Sequence, residues 1–241
     1  MKEESSKSVR ESYDRIADEY TRRIFNELEH KPFDRELLNR FAARVRDRGE
    51  VCDMGCGPGH VARYLHEAGA RVFGLDLSPR MIENARRLNP GLVFRVGNMM
   101  DLDLEDATLA GIAAFYSIVN IPKESLPLVF RETERVLRPD RQLFLAFHMG
   151  DGATEEDELW GHAISMDFFF FPSAEIQRHL ELAGFAIEDI IEREPYPDVE
   201  YQSPGLHFCA KSIIDLAALI NDDAGVSSAM CRPLSNHRPR R

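Results

Sequence analysis

Nine residues in the first quarter of the chain constrain its fold more than any other stretch. Residues 51–59 read V-C-D-M-G-C-G-P-G, a short apolar run followed by three glycines at alternate positions, and a helical pattern then opens at His60. A strand must therefore turn abruptly into a helix. Glycine tolerates positive φ and lets a ligand approach the backbone, while the first N–H groups of a helix favour a negatively charged ligand group. The stretch predicts a ligand cradle, and Asp53 within it suits a ligand that also carries positive charge.

Short apolar runs alternate with helical patterns from Glu50 onward, which is typical of βαβ units and a parallel sheet. The pattern predicts strands at 51–53, 71–75, 92–96, 111–115, 142–147, 186–191 and 206–211. It predicts helices at 59–68, 79–88, 125–137 and 173–183, the last capped by Ser173. An α/β fold with one core follows from this rhythm and from the length of the chain.

The rest of the chain divides by pattern into a cap, an insertion and an extension. Residues 1–48 form a charged helical cap before the core at 49–148, and residues 173–211 complete the sheet, so we expect one domain over 1–211. We expect the extension at 212–241, polar at its end, to be partly disordered.

The insertion at 149–172 interrupts the α/β rhythm. We predict an acidic loop, with Glu155 to Glu158 as a solvated lid, followed by an aromatic strand at 166–171. Four consecutive phenylalanines cannot all face one side of a strand. Either the strand is buried on both faces or one face lines a pocket.

The composition of the chain limits the kinds of partner that we expect it to bind. The formal net charge is −11, which opposes binding to nucleic acid or to an anionic membrane. No apolar run approaches the roughly 18 residues that a membrane-spanning helix needs. The cysteines lack the spacing of a zinc site, so we expect free thiols in a reducing cytoplasm and no metal. A homodimer formed through the apolar stretch 213–220 remains an open alternative.

A second acidic residue narrows the class of ligand that the cradle can bind. The strand predicted at 71–75 ends at Asp76, where a carboxylate can accept hydrogen bonds from both hydroxyls of a ribose. The dinucleotide-binding pattern G-x-G-x-x-G would require glycine or alanine at position 60, which is His60. The sequence therefore favours an adenosine ligand other than a nicotinamide dinucleotide.

Four motifs in order resemble one enzyme family. D-M-G-C-G-P-G is followed by G-L-D-L-S-P-R-M, V-G-N-M-M-D-L and R-V-L-R-P-D, and together they resemble the class I S-adenosylmethionine-dependent methyltransferases. The chain is similar to the bacterial groups called methyltransferase types 11 and 25 over about 13–211. The resemblance implies a Rossmann-like, doubly wound, seven-stranded, mostly parallel sheet, with an N-terminal helical cap and a cap inserted after strand 5. It also implies S-adenosylmethionine as the cofactor.

The resemblance assigns residues to the cofactor. The implied cofactor-binding residues are Tyr13, Tyr20, Asp53, Gly55, Cys56, Gly57, Gly59, Asp76, Leu77, Met81, Asn98, Met99, Tyr116 and Ser117. The glycine stretch would hold the amino-acid portion and Asp76 the ribose. Leu77 and Met81 would pack on the adenine, with Asn98 and Met99 at its edge.

The acceptor side is less explicit in the sequence. We expect Asn120, Trp160, Met166 and Phe168 to bind the acceptor, and His148 and His162 to be the candidate catalytic bases. Asn98 replaces a commonly acidic residue but keeps a carbonyl acceptor for the adenine amino group. Asn120 stands where the family often has histidine, so the family's proton transfer from that loop is not carried over. Pro204 and Gly205 replace the basic residues that usually open the last strand.

The sequence thus predicts a cytoplasmic methyltransferase that acts on a small-molecule acceptor. Two alternatives remain open: a noncatalytic S-adenosylmethionine-binding module, and an NAD(P)-dependent oxidoreductase, which shares the strand–turn–helix. An RNA acceptor is disfavoured by the acidic balance and by F-Y-S-I, which stands where adenine-methylating enzymes have an N-P-P-Y type motif.

Overall fold

The computed structural model describes residues 2–197, 200 and 205–212. The helices are α1 (Lys2–Ile24), α2 (Pro32–Val45), α3 (His60–Glu67), α4 (Pro79–Leu88), α5 (Leu126–Val136) and α6 (Ser173–Leu182), with 3-10 turns at Glu27–His30 and Lys123–Ser125. The strands are β1 (Glu50–Met54), β2 (Arg71–Asp76), β3 (Val93–Val96), β4 (Leu109–Phe115), β5 (Leu137–His148), β6 (Gly152–Leu159), β7 (His162–Phe170), β8 (Phe185–Arg193) and β9 (Gly205–Ser212).

Seven of these strands form one twisted sheet in the order β3-β2-β1-β4-β5-β9-β8. Strands β1 to β5 pair in parallel, while β9 runs antiparallel to both β5 and β8. The predicted doubly wound sheet with one antiparallel strand is therefore confirmed. The carboxyl ends of β1, β2, β4 and β5 meet at one edge, which is where ligands bind in open parallel sheets.

Helices cover both faces of the sheet. Every side chain of the central strand β4 is buried, as expected when both faces of a parallel strand are covered. Ile112 and Ala114 pack into the core under α5 and α6, whereas Ala113 and Phe115 pack on the opposite face under α2, α3 and α4. The two-residue period of the strand thus divides the core into two layers.

Two predicted boundaries are wrong for local reasons. Strand β5 begins at Leu137, well before the predicted start at 142, because Leu137 already pairs with Leu109 across a bulge. Within it, Asp140 has a φ of 59°, a left-handed conformation that aspartate tolerates better than most residues. Ser173 is the first residue of α6 and does not cap it, since Pro172 takes the N-cap position and Ser173 makes no capping hydrogen bond.

The insertion after β5 is a two-stranded hairpin. Strands β6 and β7 pair antiparallel, and the turn between them contains Trp160 and Gly161 at φ values of 54° and 83°. The predicted acidic loop is therefore wrong: Glu155 to Glu158 lie within β6. Charged side chains suit a strand at the edge of a sheet, where they discourage pairing with other chains.

Helix α1 joins the hairpin to the body of the domain. On one side, Ser12 Oγ accepts a hydrogen bond from Ser165 N at 3.0 Å, and Ser8 Oγ donates to Ser165 O at 2.7 Å. These bonds satisfy the edge of β7 that β6 leaves open. On the other side, Asp14 accepts a hydrogen bond from the Ser78 hydroxyl at 2.6 Å, at the start of α4. Helix α1 therefore bridges the two sides of the ligand-bearing edge.

Part of the prediction lies outside the described residues. This applies to the apolar stretch 213–220, to the tail at 221–241 and to Pro204.

Candidate active site

The glycine cradle occupies the turn between β1 and α3. Gly55 has a φ of 76°, and a Cβ atom at this position would lie 2.3 Å from Cβ of Ser117. Gly59, the N-cap of α3, has a φ of 81°, and its Cβ would lie 2.7 Å from the ring of Phe94. A left-handed φ disfavours a side chain, and the close neighbour leaves no room for one, so both positions favour glycine.

Asp76 lies at the end of β2 and holds the cradle from the side. Its Oδ2 accepts a hydrogen bond from Gly57 N at 2.8 Å, and its Oδ1 accepts one from Ser78 N at 2.8 Å. Burial raises the pKa of Asp76 to about 6, although these N–H donors oppose the rise. Each oxygen keeps a lone pair for a further donor, which is what the predicted role in ribose binding requires.

Asp53 supports the cradle from behind. The side chain is 1% exposed, and Oδ2 accepts a hydrogen bond from Ala62 N at 2.8 Å, in the first turn of α3. Burial raises the pKa of Asp53 to about 8, and the Ala62 N–H opposes that rise. The carboxyl group of Asp53 therefore satisfies an N–H at the start of the helix, and its predicted role in holding the amino-acid portion of the cofactor stays a prediction.

A cavity of about 400 Å³ lies between the cradle, α1 and the hairpin. Most of the predicted site residues line it, namely Tyr13, Tyr20, Gly55, Asp76, Leu77, Met81, Asn98, Met99, Tyr116, Ser117, Asn120, His148 and Phe168. The predicted residues that are not part of the cavity lining are Asp53, Cys56, Gly57, Gly59, Trp160, His162 and Met166. The assignment of the lining residues to a cofactor or an acceptor stays a prediction.

Three residues of the insertion that were predicted for the acceptor side are not part of the cavity lining. Trp160 lies at the hairpin turn, with its ring 6.0 Å from that of Tyr20. Met166 is 3% exposed and packs with Ile16 of α1, and His162 pairs with Leu159 beside the turn. Trp160 and Met166 take part in the packing of the hairpin on α1.

The four phenylalanines divide between the two faces of β7 and the residue after it. Phe168 and Phe170 line the cavity. Phe169 and Phe171 point the other way and pack on the main core, where the ring of Phe171 lies 6.3 Å from that of Phe147. Of the two alternatives that the sequence left open, the second holds, since one face of the strand lines a pocket and the other packs on the core.

Tyr13 and Asn120 connect three elements around the cavity. Tyr13 donates to Asn120 Oδ1 at 2.8 Å, and Asn120 Nδ2 donates to Asp167 O on β7 at 2.7 Å. Asn120 follows β4, whereas Tyr13 belongs to α1. Asn120, which stands where the family often has histidine, thus connects α1, the loop after β4 and the hairpin.

A cluster of buried charges at the cavity wall was missed by the sequence analysis. Lys31 is 3% exposed, and its Nζ lies 2.8 Å from Glu27 Oε2 and 3.0 Å from Glu200 Oε2. Glu27 Oε1 also lies 2.9 Å from His60 Nε2. Burial alone would raise the pKa of Glu27, but His60 and Lys31 bring it down to about 2. Only the four-residue spacing of Glu27 and Lys31 was visible in the sequence.

The same cluster fixes Tyr116. The Arg193 guanidinium donates to Tyr116 Oη and to Asp34 Oδ1, each at 3.0 Å, and it also pairs with Glu200. Tyr116 has a φ of 52°, an uncommon conformation for a residue with a large side chain. Lys31 Nζ lies 5.0 Å from the centre of the Tyr116 ring. The tyrosine ring is therefore held from its hydroxyl and from one face.

His148 closes the cavity beside Tyr116, at the end of β5. Its ring lies 4.7 Å from that of Tyr116 and 6.5 Å from that of Phe170. Burial lowers the pKa of His148 to about 4, and the charge of Lys31 acts in the same direction. The imidazole is consequently neutral near pH 7, and its lowered pKa makes it a weaker base than an exposed histidine.

The sheet has seven strands, one of them antiparallel, and its carboxyl edge carries a glycine cradle followed by an acidic residue suited to a ribose. This combination defines the class of S-adenosylmethionine-dependent methyltransferase folds. Comparison with known families gives the particular family. Residues 51–140 match the family described as "Methyltransferase domain".

Individual relatives agree with this family. The chain is 32% identical over 158 residues to the malonyl-acyl-carrier-protein O-methyltransferase of Enterobacter lignolyticus, which covers 64% of this chain and 58% of that protein. It is 29% identical over 142 residues to the demethylmenaquinone methyltransferase of Chlorobaculum parvum, which covers 56% and 57% of the two chains. The chain spans about half of the length of the curated relatives that it matches.

A solved structure supports the fold. A methyltransferase from Methanosarcina mazei, described as S-adenosylmethionine-dependent, superposes on the chain with a TM-score of 0.63 at 20% identity. The match covers 69% of this chain and 93% of that one.

The cavity fits the cofactor that the family implies. Ser117 Oγ and His60 Nδ1 are buried at or beside the cavity and make no hydrogen bond within the described residues. Buried polar atoms are normally paired, so both atoms are suited to a polar ligand. Gly55 keeps the wall open, and Asp76 offers its free lone pairs. The glycine cradle, the carboxylate of Asp76 and the two unpaired polar atoms together suit a ligand that is both charged and polar.

Two further findings concern the described part of the chain. It contains no group of three or more His, Cys, Asp or Glu side chains arranged to hold a metal ion. None of its helices combines the length and the apolar character needed to cross a bilayer.

Proposed function

We propose that the protein transfers a methyl group from S-adenosylmethionine to a small-molecule acceptor. One observation carries the proposal: the glycine cradle and Asp76 share a single cavity with the aromatic wall formed by Phe168 and Phe170. A cofactor site that opens directly into a second, apolar compartment is the arrangement that a two-substrate transfer needs. The relatives that methylate a malonyl group and demethylmenaquinone support an acceptor of this kind.

The cofactor residues follow from position along the cavity. Leu77 and Met81 supply apolar contacts for the adenine, Asn98 an acceptor for its amino group, and Asp76 acceptors for the ribose. The residues that remain for the methionine end are Tyr13, Tyr20, Gly55, His60, Tyr116 and Ser117. The bound cofactor supplies a methyl group already activated by the positive charge of its sulfonium.

The chain itself then has to orient the acceptor and exclude water. Holding reacting groups in line at about 3–3.5 Å can lower a barrier by several kcal/mol. Helix α1 and the hairpin cover the cavity, and Tyr13 and Asn120 hold them together. We assign the role of general base to His148, which accepts a proton at an imidazole nitrogen when the acceptor must lose one. His162, Trp160 and Met166 keep a supporting role in the packing of the hairpin.

We further propose that residues 1–211 act as a single methyltransferase domain, with 212–241 as an extension. The seven-stranded sheet, which joins β1 to β5 with β8 and β9, and the packing of α1 on α4 support one unit.

Isothermal titration calorimetry with S-adenosylmethionine and S-adenosylhomocysteine tests the cofactor directly. We expect both to bind with one site per chain, whereas NADH should give no heat. The absence of binding by both sulfur compounds would refute the proposal. Turnover is then tested by mass spectrometry on a panel of hydroxy, amino, thiol and carboxylic acceptors. Binding of the cofactor with no methylated product across the panel would instead favour a noncatalytic binding module.

A further inference from the structure

The charged side chains on the cavity wall fall into two groups. Glu27, Lys31 and Glu200 are paired with one another or with His60 and Arg193, and Asp76 accepts two backbone hydrogen bonds. Glu156 also lines the cavity, yet it has no hydrogen bond or ion pair within the described residues. Glu156 is partly exposed, so water can hydrate its carboxylate in the free protein, but a ligand that fills the cavity would displace that water. A ligand with a positively charged group would compensate for the loss.

The position of Glu156 on β6 separates it from the neighbouring acids. Glu156 is partly buried, whereas Glu155 and Asp157 are exposed. Successive side chains of a strand point to opposite faces, so Glu155 faces away from the cavity. Thr154, two residues earlier, lies on the same face as Glu156 and pairs with Phe168 of β7. Among the acids of the run, the strand thus turns Glu156 toward the cavity.

The surroundings of Glu156 favour a cation. Thr154, Leu159, Phe168 and Phe170 line the same cavity from the hairpin, so aromatic faces and a carboxylate stand on one wall. An ammonium group is bound by a carboxylate through charge-assisted hydrogen bonds and by aromatic faces through cation–π attraction. A carboxylate or phosphate group would be repelled by Glu156. The lysine of the described wall, Lys31, is already paired with two carboxylates.

We propose that the acceptor carries a protonated amine, which Glu156 binds beside Phe168. The inference rests on the proposed methyl transfer, because it names the class of molecule that fills the acceptor part of the same cavity. It also separates this chain from a relative whose name gives a malonyl acceptor, since malonyl groups are anionic. Glu156 is then a residue that selects the acceptor and has no role in holding the cofactor.

Three probes of matched shape and different charge test the proposal: phenethylamine, 2-phenylethanol and 3-phenylpropanoate. They are titrated by ligand-observed NMR into the protein saturated with S-adenosylhomocysteine. We expect the amine to bind at least about fivefold more tightly than the alcohol, the scale of one partly exposed charge contact with an aromatic neighbour. The propanoate should bind most weakly. In Glu156→Gln, which preserves size and hydrogen bonding, the preference for the amine should disappear.

Glu155→Gln is the matched control, because it makes the same change one residue away on the exposed face. It should retain the preference for the amine. The proposal is overturned if the amine binds the wild-type protein no more tightly than the alcohol, or if both variants lose the preference alike. Affinity for S-adenosylhomocysteine should be the same in wild type and Glu156→Gln. A loss there would place Glu156 at the cofactor and overturn the assignment, whereas a wild-type protein that fails to bind S-adenosylhomocysteine refutes the methyl transfer itself.

Discussion

Asp76 combines two roles at the level of a single residue. It fixes the cradle through Gly57 N and caps the turn before α4 through Ser78 N, and we assign the ribose hydroxyls to its remaining lone pairs. We expect Asp76→Ala to weaken the binding of S-adenosylhomocysteine by at least about tenfold, the scale of one or two hydrogen bonds to a charged group. Calorimetric titration measures this loss. Asp103→Ala, at an exposed position, is the control and should bind like the wild type.

Unchanged affinity in Asp76→Ala would mean that the ribose lies elsewhere in the cavity. Because the substitution also frees two backbone N–H groups, the melting temperature of the variant should be recorded beside the titration. A variant that melts at the wild-type temperature but binds weakly identifies a direct contact with the ligand.

Gly59 tests the need for glycine in the cradle. Alanine at this position would combine a φ of 81° with a Cβ atom 2.7 Å from the Phe94 ring. We expect Gly59→Ala to lower the free energy of unfolding by about 2–4 kcal/mol, from left-handed strain and overpacking together. Urea denaturation measures the change. Gly91→Ala is the matched control, since a Cβ there has no neighbour within 4 Å, and it should shift stability by less than about 0.5 kcal/mol. Equal effects at the two glycines would contradict this account.

At the scale of elements, α1 and the hairpin depend on each other. The open edge of β7 is satisfied by serine side chains of α1, and Ser12 is 2% exposed at that contact. We expect Ser12→Ala to leave the Ser165 amide without its partner and to increase its hydrogen exchange by about tenfold, as a lost buried hydrogen bond of about 1.4 kcal/mol would. Hydrogen-exchange NMR resolves that amide.

Ser165→Ala is the control for this contact. The bonds to α1 involve the backbone of Ser165, so removing its exposed hydroxyl should leave the exchange rate of β7 unchanged. Faster exchange in both variants would show that the serine contacts do not hold the hairpin.

The elements that the sequence analysis placed well are those whose pattern is local. The strands around Val51 and Phe73 are apolar runs bounded by turn residues, and the helix after Ser78 begins with a cap that the structure confirms through its bond to Met81 N. Strand β6 was missed because an exposed edge strand made of acids has no apolar alternation to reveal it. Whether Phe168 lines a cavity or a core depends on what packs against each face, which the strand's own sequence does not contain.

The candidate site also contains residues that a local pattern can predict and residues that it cannot. The positions of Gly55 and Asp76 beside one cavity were predictable because they depend on backbone conformation and on the end of a strand. Lys31 was not, because its partners Glu27 and Glu200 approach it from the neighbouring turn and from beyond β8. A buried ion-pair network is a property of the assembled chain, and its contribution cannot be assigned to any local motif.

At the scale of the whole molecule, buried acids make stability depend on pH. Burial raises the pKa of Asp53 to about 8 and of Asp76 to about 6, so the folded protein binds these protons more strongly than the unfolded chain. Their contribution to stability is complete below the ordinary aspartate pKa and is lost as the pH rises through the folded values. His148 has the opposite sign, because its lowered pKa favours folding as the pH rises from about 4 toward its ordinary value.

Between about pH 6.5 and about pH 8, Asp53 is the one group of these three whose titration changes the stability. There the ligand-free protein should lose up to about 2 kcal/mol of unfolding free energy, at 1.36 kcal/mol for each pH unit over which the group titrates. In Asp53→Asn the side-chain carbonyl can still accept the hydrogen bond from Ala62 N, but no proton is lost. We therefore expect its stability to be nearly flat across the window. Urea denaturation at the two pH values measures both slopes, with Asp103→Asn as the control that should follow the wild type. Parallel slopes for wild type and Asp53→Asn would mean that Asp53 is already ionised in the folded protein at pH 6.5. Asp53 would then place a full negative charge beneath the cradle, close to the cofactor.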